Sequence, residues 1–222
     1  MTTIALPAPS KLIDDEIERQ YIFLEGISWT SYERLLQELA ERAIRMTFDE
    51  GSLELMVPLP EHEQYKGLIG RLVEILAYEL NLPLMSIGST TLRRKDLRKG
   101  LEADIAYYLR NEPKIRGKRK LNLKKDPPPD LVLEVDITYH ALNRERIYAA
   151  MGGPEVWRFD GKHLECLHLQ RGHYVNRSHS LSIPWLPIAE VEKFTKMLWS
   201  ADQTSIVRQF AQWVRKHAPK RE

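Results

Sequence analysis

The 222-residue chain has one cysteine, Cys166. A single cysteine excludes an internal disulfide framework and a cysteine-rich zinc site, and it fits a reducing compartment. The surrounding segment, Leu-Glu-Cys-Leu-His, has the apolar pattern of a strand. We therefore interpret Cys166 as a packed thiol and not as a nucleophile.

Long apolar runs and an excess of charge of one sign are also missing. No run approaches the ~18 apolar residues that a membrane span requires, and residues 1–20 lack the basic start and apolar run of a signal peptide. We therefore expect a cytoplasmic protein without a membrane segment. The 33 basic and 31 acidic residues nearly balance, so only local clusters can indicate a polyanionic partner.

Several well-known chemical motifs are absent as well. The chain contains no G-x-S-x-G, no P-loop, no G-x-G-x-x-G and no H-E-x-x-H, which are signatures of common hydrolase, nucleotide-binding and zinc-protease sites. The function must therefore be sought in a different arrangement of residues.

The most informative stretch of the chain is 127–160. Three prolines precede an apolar, strand-like run at 131–137, a helical pattern follows at 141–151, and a second strand-like run begins at Glu155. A strand, a helix and a strand within about 30 residues form a βαβ-sized unit. Two acids, Glu134 and Asp136, interrupt the first strand, although a buried carboxylate is costly unless it is paired or bound to metal.

The remaining patterns predict a single α/β domain over residues 1–222. We expect a polar N-terminal arm at 1–24, a core at about 45–170 and C-terminal helices at 188–217. Helical spacing predicts helices at 32–45, 65–80, 188–199 and 203–217. Alternation predicts a hairpin at 45–57, a strand at 101–109, a second hairpin at 163–176 and an extended segment at 182–187.

Two pairs of acids are the first candidate site. Residues two apart in a strand share a face, so Glu102 lies with Asp104, and Glu134 with Asp136. If the two strands are neighbours, four carboxylates gather and repel one another, and a hard cation such as Mg²⁺ would resolve the repulsion. Alternatively, the outer acids of the pairs face solvent and bind nearby arginines.

A histidine and the residues of the following helix can complete this site. His62 lies at the start of a predicted helix, where it either directs its ring at the acids or belongs to an ordinary capping turn. Arg144 can hold a phosphate in a bidentate manner, and Tyr148 lies on the same helix face four residues later. Alternatively, Arg144 is an ordinary solvated charge, and Tyr148 is only its neighbour on the helix.

Two basic connectors, at 93–99 and 114–125, are the candidate nucleic-acid contacts. The residues that we select from them are Arg93, Arg94, Lys95, Lys118, Arg119 and Lys120. Few aromatic residues are interleaved with these charges, and a charged loop is commonly just solvated.

Several of these motifs together resemble the Uma2 family of restriction endonucleases, within the PD-(D/E)XK nuclease superfamily. They are Val-Pro-Leu-Pro-Glu-His-Glu at 57–63, Gly-Leu-Glu-Ala-Asp at 100–104, Pro-Asp-Leu-Val-Leu-Glu-Val at 129–135, Ala-Leu-Asn-Arg with Ile-Tyr at 141–148, and Gly-Pro-Glu-Val-Trp at 153–157. The phrase Glu-Val-Asp-Ile-Thr is similar to the form of the family that is abundant in cyanobacteria.

The resemblance implies a restriction-endonuclease-like core, in which a mixed central sheet is flanked by helices. It also implies that Asp104 and Glu134 bind the metal and that His62 is the histidine before the first core helix. One departure is mild, since Ala103 stands where the family has proline and the carboxylate of Asp104 remains.

A second departure concerns the catalytic lysine of the superfamily. Asp136 occupies the position where the motif places this lysine, and Arg144 matches the position on the following helix to which relatives move it. Arginine keeps the charge and binds phosphate, but it does not release its proton and has a different geometry. Lys66, Lys95 and Lys99 are possible substitutes.

The sequence therefore predicts a Mg²⁺- or Mn²⁺-dependent endonuclease that hydrolyses DNA. Asp104 and Glu134 would hold the ion, Glu102 or Asp136 would assist as an outer ligand or base, and Arg144 would stabilise charge on the phosphate. The alternative is a catalytically impaired nuclease fold that binds nucleic acid or serves as an assembly module. We also expect a homodimer, which is common among soluble oligomers.

Overall fold

The computed structural model describes residues 21–137 and 140–219. In these ranges the chain forms eleven strands and six helices in a mixed α/β arrangement, which confirms the predicted fold class. In chain order they are β1 Tyr21–Leu24, α1 Trp29–Glu38, β2 Arg45–Asp49, β3 Ser52–Met56, α2 Pro60–Glu79, β4 Met85–Ser86, β5 Thr91–Arg94, β6 Lys99–Glu102, β7 Ile105–Tyr108, α3 Glu112–Ile115, β8 Leu131–Val135, α4 Arg144–Met151, β9 Glu155–Phe159, β10 Leu164–Gln170, β11 His173–Arg177, α5 Ile188–Thr195 and α6 Gln203–His217.

The first sheet has five antiparallel strands in the order β1-β3-β2-β6-β5. Its centre is the predicted hairpin of β2 and β3, which pairs Asp49 with Ser52 and leaves a two-residue loop. Both loop residues, Glu50 and Gly51, have positive φ values of 52° and 113°. Positive φ at both central residues suits the right-handed twist of the flanking strands, so the turn sets the register of the hairpin.

The second sheet has six strands in the order β11-β10-β9-β8-β7-β4. β8 and β9 are parallel, with Val132 opposite Val156, and α4 connects them. This confirms the βαβ unit that the sequence predicted. All five residues of β8 are buried, as expected for a strand that is covered on both faces.

The main core lies between the second sheet and three helices, α2, α5 and α6. Leu68, Leu72 and Leu76 of α2 are completely buried against residues such as Leu133 and Trp157 of the sheet. A Cβ atom on Gly70 would lie 2.6 Å from Ile105 Cδ1, so a larger residue at position 70 would require the end of the Ile105 side chain to move. Among the described residues, no helix is long and apolar enough to cross a membrane.

The structure corrects five local predictions. One of them is the helix at 32–45, since α1 covers Trp29–Glu38 and ends before residue 39. Residues 101–109 do not form one strand, because the chain leaves the first sheet at Glu102 and enters the second at Ile105. Asp104 therefore lies between two strands and not inside one. Helix α4 begins at Arg144 and not at 141, because the side chain of Asn143 accepts a hydrogen bond from Arg146 N and caps the helix there.

The other two corrections concern the N-terminal arm and the segment 182–187. Residues 21–24 of the predicted arm are a strand that pairs with β3, whereas residues 1–20 lie outside the described residues. Residues 182–187 are not extended, since they form bends and a turn. Their backbone is held by the buried carboxylate of Glu155, which accepts a hydrogen bond from Ser182 N at 2.8 Å.

Candidate active site

Asp104 lies where the chain crosses from the first sheet to the second, and 2% of it is exposed. Its Oδ1 accepts a hydrogen bond from Arg45 of β2, while its Oδ2 lies 3.0 Å from His62 Nε2 of α2 and accepts from Val135 N of β8 at 2.6 Å. Burial would raise the pKa of this carboxyl, but the His62 hydrogen bond and the Arg45 charge outweigh it and lower the pKa. Asp104 is therefore held as a carboxylate.

The first turn of α2 extends this network towards solvent. Glu63 accepts a hydrogen bond from Arg45 at 3.0 Å and another from Lys66 at 2.7 Å, and its Oε1 lies 3.3 Å from His62 Nδ1. The two ring nitrogens of His62 thus lie beside two different carboxylates. The sequence predicted that His62 directs its ring at the acids, and in the structure the ring contacts Asp104 directly.

Glu134 lies in β8, and its carboxylate is paired with helix α4. Arg144 donates to it through Nε at 3.1 Å and through Nη2 at 2.8 Å, and the Tyr148 hydroxyl donates to the other oxygen. Burial, together with the nearby charge of Asp104, raises the pKa of Glu134 despite the Arg144 charge. Asp104 and Glu134 therefore lie close enough to repel each other.

Arg144 connects both sheets at this point. Its Nη1 donates to Thr47 Oγ1 in β2 at 2.7 Å, and its Nη2 donates to the carbonyl of Glu102 at the end of β6 at 2.7 Å. Its side chain is only 11% exposed. The guanidinium is thus directed at protein acceptors in both sheets and not at solvent.

Glu102 is the acid of this group whose carboxylate is open. It is half-buried, and among the residues that the structure describes no donor lies within hydrogen-bonding distance of its side chain. Burial raises its pKa, and the charge of Asp104 adds to this, whereas Arg45, Arg144 and Lys66 oppose the shift. Glu102, Asp104 and Glu134 therefore form one acid cluster with one carboxylate free to bind a ligand.

Asp136 follows the end of β8 and lies beside a different set of residues. Its Oδ1 is 3.4 Å from His140 Nε2. The other nitrogen of this ring lies 2.7 Å from Glu54, a buried acid of β3 that also accepts from the backbone of Ala141 and Leu142. Glu134 and Asp136 both line a cavity of about 490 Å³.

The predicted nucleic-acid residues lie partly in one groove, which we call the basic groove. It has a volume of about 790 Å³ and includes Arg93, the three consecutive basic residues at 118–120, and Glu102. The three basic residues are exposed. Glu102 thus belongs both to the acid cluster and to the basic groove.

The other two predicted contacts, Arg94 and Lys95, are placed differently. Arg94 donates to both oxygens of Asp96 and to the carbonyl of Leu123. Lys95 is exposed but does not line the groove. The structure therefore brings four of the six predicted basic residues to the groove.

Of the three possible substitutes for the missing lysine, Lys66 lies nearest to the acid cluster. It contacts Glu63, and its charge acts on Glu102. Lys99 is paired with Asp49 and Glu50 at the other end of β6. Lys95 lies in a short 3₁₀ turn between β5 and β6.

Four residues of this region were not identified from the sequence: Arg45, Thr47, Glu54 and His140. Each makes its contact to a residue far away in the chain, such as the 59 positions that separate Arg45 from Asp104. Of these four residues, Glu54 could have been identified from the sequence, because it is a charged residue in a mostly apolar strand.

The acid cluster has the oxygen ligands of a divalent-cation site, although the ligand oxygens of Glu102, Asp104 and Glu134 do not all lie within 4.8 Å of one another in this structure. Glu102 supplies an open carboxylate, and oxygen ligands are those that Mg²⁺ and Mn²⁺ prefer. A cation would also offset the burial and the charge of Asp104, which together raise the pKa values of Glu102 and Glu134. Since each oxygen of Asp104 and Glu134 already accepts a hydrogen bond, Glu102 is the most accessible ligand of the three.

A comparison with models of protein families gives a match over most of the chain. The model of the Uma2 family, described as "Putative restriction endonuclease", matches residues 29–192. The match spans α1 to α5 and contains every residue of the acid cluster and of the basic groove. None of the curated proteins that were compared matches the chain.

Proposed function

Because the chain belongs to the Uma2 family, we propose that it is a metal-dependent endonuclease that hydrolyses phosphodiester bonds of DNA. The observation that carries this proposal is the position of Glu102. Its carboxylate belongs to the acid cluster and also lines the basic groove. A phosphate held by the groove would therefore lie next to the acids.

The basic groove supplies the electrostatic part of substrate binding. Lys118, Arg119 and Lys120 line it and are exposed, and Arg93 of β5 lines it as well. Cationic side chains of this kind contact phosphates without reading bases. The groove accordingly favours a nucleic acid over a neutral substrate, and it orients the backbone towards Glu102.

We propose that Glu102, Asp104 and Glu134 hold a Mg²⁺ or Mn²⁺ ion. Such an ion supplies activation of water and neutralisation of the charge that develops on a phosphate. The protein keeps the carboxylates in place, since His62 and Arg45 orient Asp104, while Arg144 and Tyr148 orient Glu134. Oriented ligands are expected to raise metal affinity.

Lys66 is our candidate for the amine that the motif lacks at position 136. It lies one turn after His62 on α2, its side chain is 17% exposed, and it acts electrostatically on Glu102. An ammonium group there can stabilise a phosphate or position water. Lys66→Met should therefore lower cleavage, whereas the matched variant Lys99→Met, remote from the cluster, should retain it.

A direct test combines metal binding with cleavage. Calorimetric titration of the wild type with Mn²⁺ should show binding that Asp104→Asn and Glu134→Gln weaken. Plasmid DNA should be cut by the wild type with Mg²⁺ or Mn²⁺ and not with a chelator. The metal proposal would be refuted if the wild type bound no Mn²⁺. The assignment of the site would be refuted if Glu134→Gln kept full cleavage activity.

The contacts of Arg144 favour a second candidate function, a nuclease fold that binds nucleic acid without cutting it. The guanidinium is occupied by Glu134, Thr47 and the Glu102 carbonyl, so it is not presented to a phosphate. If the wild type binds DNA without cutting it and Arg144→Lys creates cleavage, the second function is correct. Assembly as a homodimer in the cytoplasm stays a prediction from the sequence.

A further inference from the structure

A second cluster of ligand-type side chains lies at the opposite end of the parallel strand pair from Glu134. Glu155 of β9 is opposite His168 of β10, and Cys166 lies two residues before His168 on the same face. One ligand atom from each of the three lies within 4.8 Å of the others. Glu155 and Cys166 are completely buried, while His168 is half-buried and gives access from solvent.

The sulfur of Cys166 is surrounded by three polar atoms. Glu155 Oε1 lies at 3.3 Å, His168 Nε2 at 3.4 Å and the carbonyl oxygen of His179 at 3.4 Å. A thiol has one proton, and both oxygens are acceptors only. One proton cannot satisfy two acceptors, so a neutral thiol explains only part of this arrangement.

The carboxylate of Glu155 is already held by backbone and indole donors. Its Oε1 accepts from Trp157 Nε1 at 2.8 Å and from Leu181 N at 3.0 Å, and its Oε2 accepts from Ser182 N at 2.8 Å. These bonds use three of the roughly four lone-pair positions of a carboxylate. The thiol approaches Oε1 at 3.3 Å as a third donor beside the Trp157 and Leu181 N–H groups, and one position on Oε2 is open.

We propose that Glu155, Cys166 and His168 bind a zinc ion. Thiolate, imidazole and carboxylate are the ligands that Zn²⁺ takes in proteins, and it prefers tetrahedral geometry. With Zn–S near 2.3 Å and Zn–N or Zn–O near 2.0–2.1 Å, neighbouring ligands lie about 3.5 Å from the sulfur. The observed separation of His168 Nε2 from Cys166 Sγ, 3.4 Å, is close to this value, and the open position of the Glu155 carboxylate is on Oε2.

The location indicates a structural role for this ion. The cluster joins the β9–β10 hairpin to the segment 178–182, whose backbone donates to Glu155 and whose His179 carbonyl faces the sulfur. The hydrogen bonds to Glu155 fix the orientation of a ligand, as outer-shell contacts do at zinc sites. A zinc ion would therefore fasten this segment, which leads into α5, to the second sheet.

Cobalt titration of the metal-free, full-length protein tests the proposal. The wild type should develop a thiolate-to-cobalt charge-transfer band and the visible bands of tetrahedral Co²⁺, saturating at one ion per chain, and Zn²⁺ should abolish them. Cys166→Ser should lose the charge-transfer band. His168→Gln, at a half-buried position that tolerates substitution, should bind cobalt at least about 10- to 100-fold more weakly.

The matched control is His173→Gln, an exposed histidine on β11, which should bind like the wild type. Absence of the charge-transfer band in the wild type would overturn the proposal, and so would unchanged affinity in His168→Gln. The acid cluster contains no thiolate, so cobalt bound there gives no such band. The result is therefore independent of whether the protein cuts DNA.

Discussion

The two ends of β8 carry buried acids in different surroundings. Asp130, just before the strand, is 3% exposed and accepts hydrogen bonds from Leu109 N, Asn111 N and Asn111 Nδ2 at 2.6–2.9 Å. Glu134, near the other end, is 6% exposed and is held by an arginine and a tyrosine. Neutral donors satisfy the first acid, whereas ionisable groups surround the second.

This difference separates a structural acid from a candidate catalytic one. The bonds of Asp130 fix the chain between β7 and α3 and complete the hydrogen bonding of buried backbone groups. Glu134 instead has a raised pKa and a like charge nearby, which are features that concentrate at functional sites. Burial alone does not distinguish the two residues, but the chemistry of their donors does.

The largest expected effect comes from removing the cation at the Glu134 end. Arg144→Ala leaves Glu134 as an unpaired buried charge, so the free energy of unfolding should fall by about 3–5 kcal/mol. Asp130→Ala, at the other end, removes hydrogen bonds of neutral groups and should cost about 1–3 kcal/mol. Urea unfolding measures both values, with the exposed Arg146→Ala as the control. If Arg144→Ala and Asp130→Ala lost the same free energy of unfolding, the distinction between the two acids would be wrong.

The next effect concerns activity. Glu134→Gln should lower the rate of DNA cleavage about 100- to 1,000-fold, the range seen when one electrostatic group of an active site is lost. Asp130→Asn should retain the activity of the wild type per folded molecule, because it contacts only its own end of the strand. Initial rates on plasmid DNA, corrected for the folded fraction by circular dichroism, compare the two. Loss of activity in Asp130→Asn would contradict our assignment.

A pH effect is expected at Glu54. Burial raises its pKa, but the hydrogen bond and charge of His140 and the Leu142 N–H outweigh burial and lower it. An acid whose pKa is lowered in the folded state stabilises the protein above its unfolded pKa, and this stability is lost as the pH falls through the folded pKa. Glu54→Gln should therefore cost about 1.5–3 kcal/mol at neutral pH.

The same variant should differ less from the wild type in acid. Urea unfolding at about pH 7 and at about pH 3 measures the difference. Glu41→Gln, at an exposed position, is the control for the loss of one acid. A cost that is as large in acid as at neutral pH would show that the charge of Glu54 is not responsible.

The smallest expected effect is in DNA binding. Replacing Lys118, Arg119 and Lys120 by glutamine should weaken affinity about tenfold and reduce the slope of log K against log salt by up to about 3. The control replaces three basic residues away from the groove, Lys193, Lys196 and Lys216. Fluorescence anisotropy of labelled DNA at several salt concentrations measures both. Equal losses in the two variants would indicate only a general effect of charge.

The sequence predicted those parts of the molecule that depend on local pattern. The β2–β3 hairpin, the β8–α4–β9 unit and helix α6 follow from alternation, helical spacing and turn residues, and the structure has them at nearly the predicted positions. The break between β6 and β7 was missed, because residues 101–109 keep an apolar, strand-like composition through the crossing. A change of sheet is set by tertiary packing and leaves little local trace.

For the candidate site, residue types and family motifs selected Asp104, Glu134, Arg144 and His62, and the structure has His62 in contact with Asp104 and Arg144 in contact with Glu134. They could not show that each acid has its own arginine. Arg45 is the first residue of an ordinary strand, and nothing in its neighbours indicates that it pairs with a residue 59 positions later. Long-range ion pairs of this kind depend on how the two sheets dock and not on spacing.

The contacts of Arg144 also have a consequence for the order of folding. Its partner Thr47 is 97 positions away in the chain and lies in the other sheet. Closing such long loops costs entropy before any contact repays it, and contacts of high sequence separation form slowly. The acid cluster therefore completes only after both sheets have formed and docked, and a nascent chain would have no cleavage site until most of the domain had folded.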